Sequence, residues 1–579
     1  MKTPPRAHAW RAVALIAFVA GLLAVSGSAA THQVRNAAEF NALPALNAGD
    51  VVILHDGTYG ALDKTVTSNI ADDATAQANP IYVVAASPGG VRVAAPSRIT
   101  LRGRGIVLAG LDFVAGGGMR DNGGTSPAWI IRTDINSRHM RISHVRFDHC
   151  TAGDDYGNWI LLSGFNNVVE YCSFVGQDEP VSGATLSMVR SVAEAGIDVP
   201  RNHVIRYNYF GPRVCSSADN GYETIRIGDS GSQAHDMGVT IERNVFYRSI
   251  WRNDGTRPNE PEIISNKSKG NLIRQNTFLE SYGQITLRHG DNCVVEGNFV
   301  FGGGYYNGSA IALSPATNLF QSGVRVVGQH HIVRNNYFVN LRGTGERAAV
   351  AVYSGYPGFN DGDGSGGDST YEAAHHLQLY HNTFIDCREL RFGSAPRVEM
   401  TESPIGVTVY DNAWQGGTGG NALVTEAGFV PGSSGGNYFY RPAGDFGWTG
   451  LVGTYSSTVS PQITEAFQQY FIPTSTSPLL DVATGTLSAD NDIRGAVRPA
   501  TGRDIGSFER EASGGDNRPL LRNEVGPVFD GGSTGTYPQP PAFPLTVLTT
   551  TMPVAKTTKT YPGTLQAFGG TAPFTWSLT

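Results

Sequence analysis

Two stretches of this 579-residue chain gather side chains able to do chemistry, NEPEIISNKSKGN (259–271) and QITLRHGDN (284–292). Glu260 and Glu262 are two residues apart, so along a strand both carboxylates project from one face. Lys267 lies five residues beyond Glu262, Arg288 lies 21 beyond Lys267, and His289 follows it. Two cations held beside two carboxylates suit β-elimination from a uronic acid. Removing the proton α to a carboxylate is difficult because charge builds on a group that is already negative, and a divalent cation relieves it. Two Glu and an amide oxygen are hard donors, which favours Ca²⁺ over zinc. The base must be neutral, and an amine beside cations gives up its proton more readily. Lys267 fits that role, while Arg288 either donates to the leaving 4-oxygen or holds the substrate.

The spacing of 21 points to the elements that must place these groups. Short alternating segments recur along the chain, among them NVVEYCSF (167–174), HVIRYNYF (203–210), VTIERNVF (239–246), NLIRQNTF (271–278), CVVEGNFV (293–300), HIVRNNYF (331–338), LQLYHNTF (377–384) and VTVYDNAW (407–414). Their sixth position is Asn208, Asn244, Asn276, Asn298, Asn336, Asn382 and Asn412, after Val145 and Cys172 in the first two copies. The smallest offset, 22, suits one coil of three short strands and three turns, and larger offsets are the same coil with loops inserted. Such a unit cannot bury its apolar face alone, so coils must stack. Asn at one turn then forms a ladder that satisfies buried polar atoms. The expected architecture is all-β, a right-handed parallel β-helix, with Lys267 and Arg288 side by side in adjacent coils.

The motif EIISNKS with a downstream RHG resembles the polysaccharide lyase family that contains alginate lyases and dermatan-degrading chondroitinase B, calcium-dependent parallel β-helices. The resemblance implies Lys267 as Brønsted base, Arg288 as acid and His289 as the assisting histidine. It implies Glu260 and Glu262 as calcium ligands, with Asn220 of DNGYETIRIG (219–228) as the third. EIISNKS is closer to the alginate lyases, so alginate is the implied substrate, with dermatan sulfate as the alternative. Arg226 in IRIG is either a contact for a substrate carboxylate in the same cleft or a surface partner for an acid.

Composition agrees with a turn-rich coil: 72 residues are Gly, only 16% are charged and 40% are hydrophobic. The net charge is −7, and no basic stripe marks a nucleic-acid binder. Residues 1–30 read as an export signal, with Lys2, Arg6 and Arg11, the apolar run Ala12–Val25 and small residues at Ser28 and Ala30. That run is too short to span a bilayer, so a secreted or periplasmic protein without a membrane anchor is expected. Losing those three cations would take the net charge from −7 to −10, so attraction for a polyanion has to be local. Cys150, Cys172, Cys215, Cys293 and Cys387 leave at least one thiol unpaired and read as buried small apolar groups. The β-helix is expected over 31–510, a linker over 511–560, and the truncated start of an immunoglobulin-like module over 561–579. A Gly/Asp/Ser stretch, DGDGSGGDSTYE (361–372), matches EF-hand loop spacing, from Asp361 and Asp363 to Glu372, but lacks flanking helices, so an inserted loop is the simpler account. Two other functions remain open: a glycoside hydrolase using paired carboxylates such as Asp154 and Asp155, and a non-catalytic carbohydrate-binding β-helix.

Overall fold

The computed structural model describes residues 29–119, 128–150, 157–177, 183–188, 199–215, 221–251, 261–302, 305–306, 309–310, 321–359, 370–416, 421–426, 428–443, 445–532, 535–538, 546–547 and 567–568. Three parallel sheets of 14, 13 and 14 strands run the length of the molecule. In each coil the chain passes through a first sheet (Val204–Arg206 is one strand), a second (Tyr209–Phe210) and a third (Ile225–Ile227) before entering the next coil at Thr240–Glu242. Every such strand pairs in parallel with its counterpart one coil away, and the expected parallel β-helix is the fold.

The recurring segment is two strands with a bend inside it, not one strand. The residue before each ladder Asn is left-handed: Tyr207, Arg243, Gln275, Asn335, His381 and Asp411 have φ between 52° and 55°, and Gly297, before Asn298, has 64°. The Asn then turns inward and is fully used. Asn298 Oδ1 accepts from Asn276 N and Nδ2, each at 3.0 Å, while Asn298 Nδ2 donates to Ile273 O at 2.9 Å and Asn336 Oδ1 at 3.0 Å. The ladder continues past Asn412 to Asn437, outside the aligned segments. One strand further, Phe113, Phe147, Phe174, Phe210, Phe246 and Phe278 stack ring on ring at 4.6–5.2 Å. Near-parallel stacking of this kind adds to the area each ring buries. All five cysteines are free and buried, as expected of small apolar core residues.

The chain beyond the last coils does not leave the body. Residues 474–532 and 535–538 fold back over the outside of the Asn turn and run towards the first coils. Thr484 N donates to Asp411 (2.8 Å), Asn335 to the Asn491 carbonyl (2.7 Å), Asn517 to the Gly297 carbonyl (3.0 Å), and Tyr537 to the Ala85 carbonyl (2.9 Å). Residues 511–532 and 535–538, which composition assigns to a linker, are therefore part of this strap. Of the expected immunoglobulin-like tail, only Ala567–Phe568 is described, paired antiparallel with Thr546–Val547. No helix among the described residues is long and apolar enough to cross a membrane.

Candidate active site

Of the predicted residues, Arg226, Glu262, Lys267, Arg288 and His289 fall on strands of the third sheet. Glu262–Lys267 pairs with Gln284–His289 on one side and with Ile225–Ile227 on the other. Alternation sends Ile225, Ile264, Ile285 and Val324 into the core and Arg226, Ser265, Thr286 and Arg325 outward in one register. Two bulges interrupt it. Between Glu262 and Ile264 an extra residue lets Ile263 and Ile264 both enter the core, and the second falls after Asn266. Its effect is to put Lys267 opposite His289 instead of Arg288, which occupies the bulge. The 21-residue spacing thus matches the register from Ile264 to Asn266, and the extra residue aims Arg288 at the carboxylate of Glu262.

The NKS motif has a local reason. Asn266 points inward, fully buried, and donates to the Ser268 carbonyl (2.9 Å) and across the coil to the His289 carbonyl (3.2 Å), while Asn271 donates to its Oδ1 (2.7 Å). Lys267 stands directly after this anchor, 8% exposed. Arg288 is 7% exposed and reaches both oxygens of Glu262 at 3.3 Å. Arg325 joins the same carboxylate at 3.5 Å, and Ser265 donates its hydroxyl to it. Burial works against a charge on Glu262, but Arg288 and Arg325 outweigh it and hold the carboxyl down to about 2. The reciprocal field of Glu262 raises the pKa of Arg288 despite its burial. His289 is fully buried with its ring 5.8 Å from that of Tyr371.

Three contributors are not apparent from the motifs alone. Glu223 precedes Ile225 by two residues as Glu262 precedes Ile264, so the two carboxylates lie in register in neighbouring coils. It is 3% exposed, its Oε2 has no hydrogen-bond partner, and burial followed by the charge of Glu262 pushes its pKa up. Overlaying ETIRIG on EIISNK would have found it. Arg325 sits in VRV and is found by continuing the same register. Tyr371 comes from an inserted loop and has no such signal; its ring lies 5.9 Å from the guanidinium of Arg288, 5.4 Å from that of Arg325 and 5.6 Å from that of Arg397. Arg325, Glu346, Tyr353, Tyr371, Pro396 and Arg397 line a cavity of about 270 Å³ at the Arg325 end of the outward row. Arg226 lies on that row, with its Nε 3.3 Å from Ser187 Oγ.

Of the expected calcium ligands, Asn220 and Glu260 lie outside the described residues, as do Asp154 and Asp155 and most of the 361–372 loop. Glu372 of that loop is buried and accepts from Gln329. Among the described residues no three His, Cys, Asp or Glu side chains form a metal cluster. The donors beside Glu262 nonetheless fit Ca²⁺. Two stacked carboxylates repel each other unless a cation lies between them. Glu223 Oε2 and the Oε1 of Gln284, which pairs with Glu262 in the next coil, are buried oxygens without partners.

Residues 34–405 match the family model described as Chondroitinase B. A search of curated proteins returns no match. Among solved structures, the PL6 family alginate lyase AlyGC aligns with a TM-score of 0.60 and 24% identity, over 80% of this chain and 60% of that one. A mannuronic acid specific polysaccharide family 6 lyase from human gut microbiota aligns at 0.55 and 23%, over 71% of this chain and 86% of that one. A PL6 alginate lyase in complex with a trisaccharide aligns at 0.55 and 19%, over 77% and 91%. At these identities the structural likeness speaks for the coil, whereas the family model spans well over half of the chain and takes in the EIISNKS and RHG strands. The chain belongs to the Chondroitinase B family of polysaccharide lyases.

Proposed function

We propose that this protein is an exported lyase that cleaves alginate by β-elimination and leaves a 4,5-unsaturated uronate at the new non-reducing end. The observation that carries the reading is the outward pair Lys267 and Arg288, in adjacent coils over one buried anion, Glu262. Lys267 takes the proton from C5 of the uronate. The C–H electrons become the C4–C5 double bond as the C4–O4 bond breaks, and Arg288, held charged by Glu262, presents its N–H donors to the leaving 4-oxygen. Arg226, on the same row, meets the carboxylate of a bound uronate, and His289 supports the site from beneath Tyr371. Ca²⁺ held by Asn220, Glu260 and Glu262, with Glu223 beside Glu262, would neutralise the carboxylate of the sugar losing its proton. The export signal read in residues 1–30 supports an activity outside the cytoplasm.

Alginate is preferred because EIISNKS is closer to the alginate-lyase form of the motif, and two of the aligned structures are alginate lyases and the third is a mannuronic acid specific lyase; dermatan sulfate is the competing substrate. Incubation with alginate, its mannuronate and guluronate blocks and dermatan sulfate, followed by ultraviolet absorbance of the new double bond, separates the two. Lys267→Ala and Arg288→Ala should abolish the signal, and chelation should suppress it. An unchanged rate in Lys267→Ala would remove the base assignment, and reducing ends without new absorbance would identify a hydrolase.

A further inference from the structure

The outward row that carries Arg226 and Arg325 continues towards the N-terminal coils. Arg226 pairs through Ser187 and Leu161 with Arg132, three coils away, as it pairs through Ser265 and Thr286 with Arg325 in the other direction. Guanidinium groups therefore recur on one line parallel to the coil axis. Ser187, Ser265 and Thr286 between them are small and buried, and Leu161 stands between Arg132 and Ser187. Arg132 differs from its neighbours Arg98 and Arg102, which are paired with Asp63 and Asp134. Among the described residues Arg132 has no ion pair. Its guanidinium lies 4.0 Å over the ring of Trp129, and the buried Nε of Arg132 and Nε1 of Trp129 both lack acceptors. An aromatic face beside a cation with unused donors matches an acidic sugar, whose ring stacks while its carboxylate accepts.

We propose that Trp129 and Arg132 form a remote subsite for a uronate residue of the same polysaccharide chain that is cut at Lys267. This rests on the lyase reading and extends it: the polymer lies along the coil axis, over the Arg132–Arg226–Arg325 line. The Trp129 strand is four coils from the Lys267 strand, or ~19 Å at the usual strand spacing. A 1,4-linked pyranose advances its chain by roughly one such spacing, so the subsite is reached only by a substrate extending about four sugars from the scissile bond.

The test compares wild type with Arg132→Gln, Arg132→Lys and Trp129→Leu on long alginate and on a purified trisaccharide. Losing one charge-assisted contact should raise KM on the polymer about tenfold with kcat within about twofold. Arg132→Lys should recover most of the loss, and KM on the trisaccharide should not move. An unchanged polymer KM in both Arg132→Gln and Trp129→Leu overturns the subsite, as does an equal rise on trisaccharide and polymer. If the wild type forms no unsaturated product from any uronan, the lyase reading fails instead. Calorimetric titration of the same polymers into wild type and Arg132→Gln then decides the subsite, since equal affinities reject it.

Discussion

Replacing Glu262 by Gln tests whether one buried carboxylate organises Arg288 and Arg325. The change keeps volume and an acceptor for Ser265 but removes the charge. Arg288 lies 3.3 Å and Arg325 3.5 Å from the carboxylate, which is 1% exposed. At an effective dielectric of about 20 each contact is worth about 5 kcal/mol before desolvation. Relief from burying the anion returns part of that, and removing one partner of such a cluster costs about 3–5 kcal/mol net. Unfolding entropy of about 2 cal/mol/K per residue makes a coil of this size change by about 1 kcal/mol per degree. In chelator, where the arginine contacts alone are read, the variant should melt roughly 3–5 °C lower by intrinsic fluorescence. It should also lose lyase activity at a temperature where it remains folded, because Arg288 and Arg325 repel each other once the anion is gone. Glu262→Gln with Arg325→Met should recover part of the melting temperature without recovering the rate. A single variant that melts within a degree of wild type would refute the reasoning, since the carboxylate would then not hold the two arginines.

Further outcomes follow from the coil and strap. Asn298→Asp sets a carboxylate oxygen against Asn336 Oδ1 and the Ile273 carbonyl, where an amide now donates; a loss of about 3 kcal/mol or more is expected. Urea unfolding should show a larger effect than Asn437→Asp, at the ladder's end, and equal effects would mean that the ladder is not cooperative. His144, buried between Tyr171 and Tyr537, is pushed by burial down to about 4, against the pull of the Gly535 carbonyl and Glu170. The unfolded chain binds this proton first, so the stability from neutral His144 is complete above about 6.5 and declines towards 4, by up to about 3 kcal/mol. Acid should therefore loosen the strap, read by proteolysis near Tyr537, and His144→Phe should flatten that response. The five buried thiols should react with a thiol reagent only after unfolding; a rapid native reaction would contradict their burial.

The recurrent Asn was legible because a ladder needs one residue type at one turn in every coil, so the requirement repeats in the chain. The proposed catalytic pair was legible for a related reason: Lys267 and Arg288 lie one uninterrupted coil apart, with no loop to blur the spacing. Glu223 was hidden because 39 residues separate it from the Glu262 it stacks on, and an insertion lies between. Arg325 was hidden in the same way, behind the insertion that follows Phe301. Residues 512–532 and 535–538 misled because their Gly and Pro content has no periodicity. Their order comes from backbone carbonyls and turn side chains more than two hundred residues away, such as those that meet Asn517 and Tyr537.

By itself the sequence determined the stacked coil, its inward Asn turn and the face carrying Lys267 and Arg288, because each is a periodic demand of burying an apolar interior with short strands. Tertiary structure decided the rest. The bulge puts His289 opposite Lys267 and frees Arg288 to meet Glu262, Arg325 adds a second cation to that anion, Glu223 comes to stand beside it, and the strap closes over the turns. These depend on where one extra residue enters a register and on contacts between distant coils, and the net charge of a buried cluster is set by which neighbours those contacts supply.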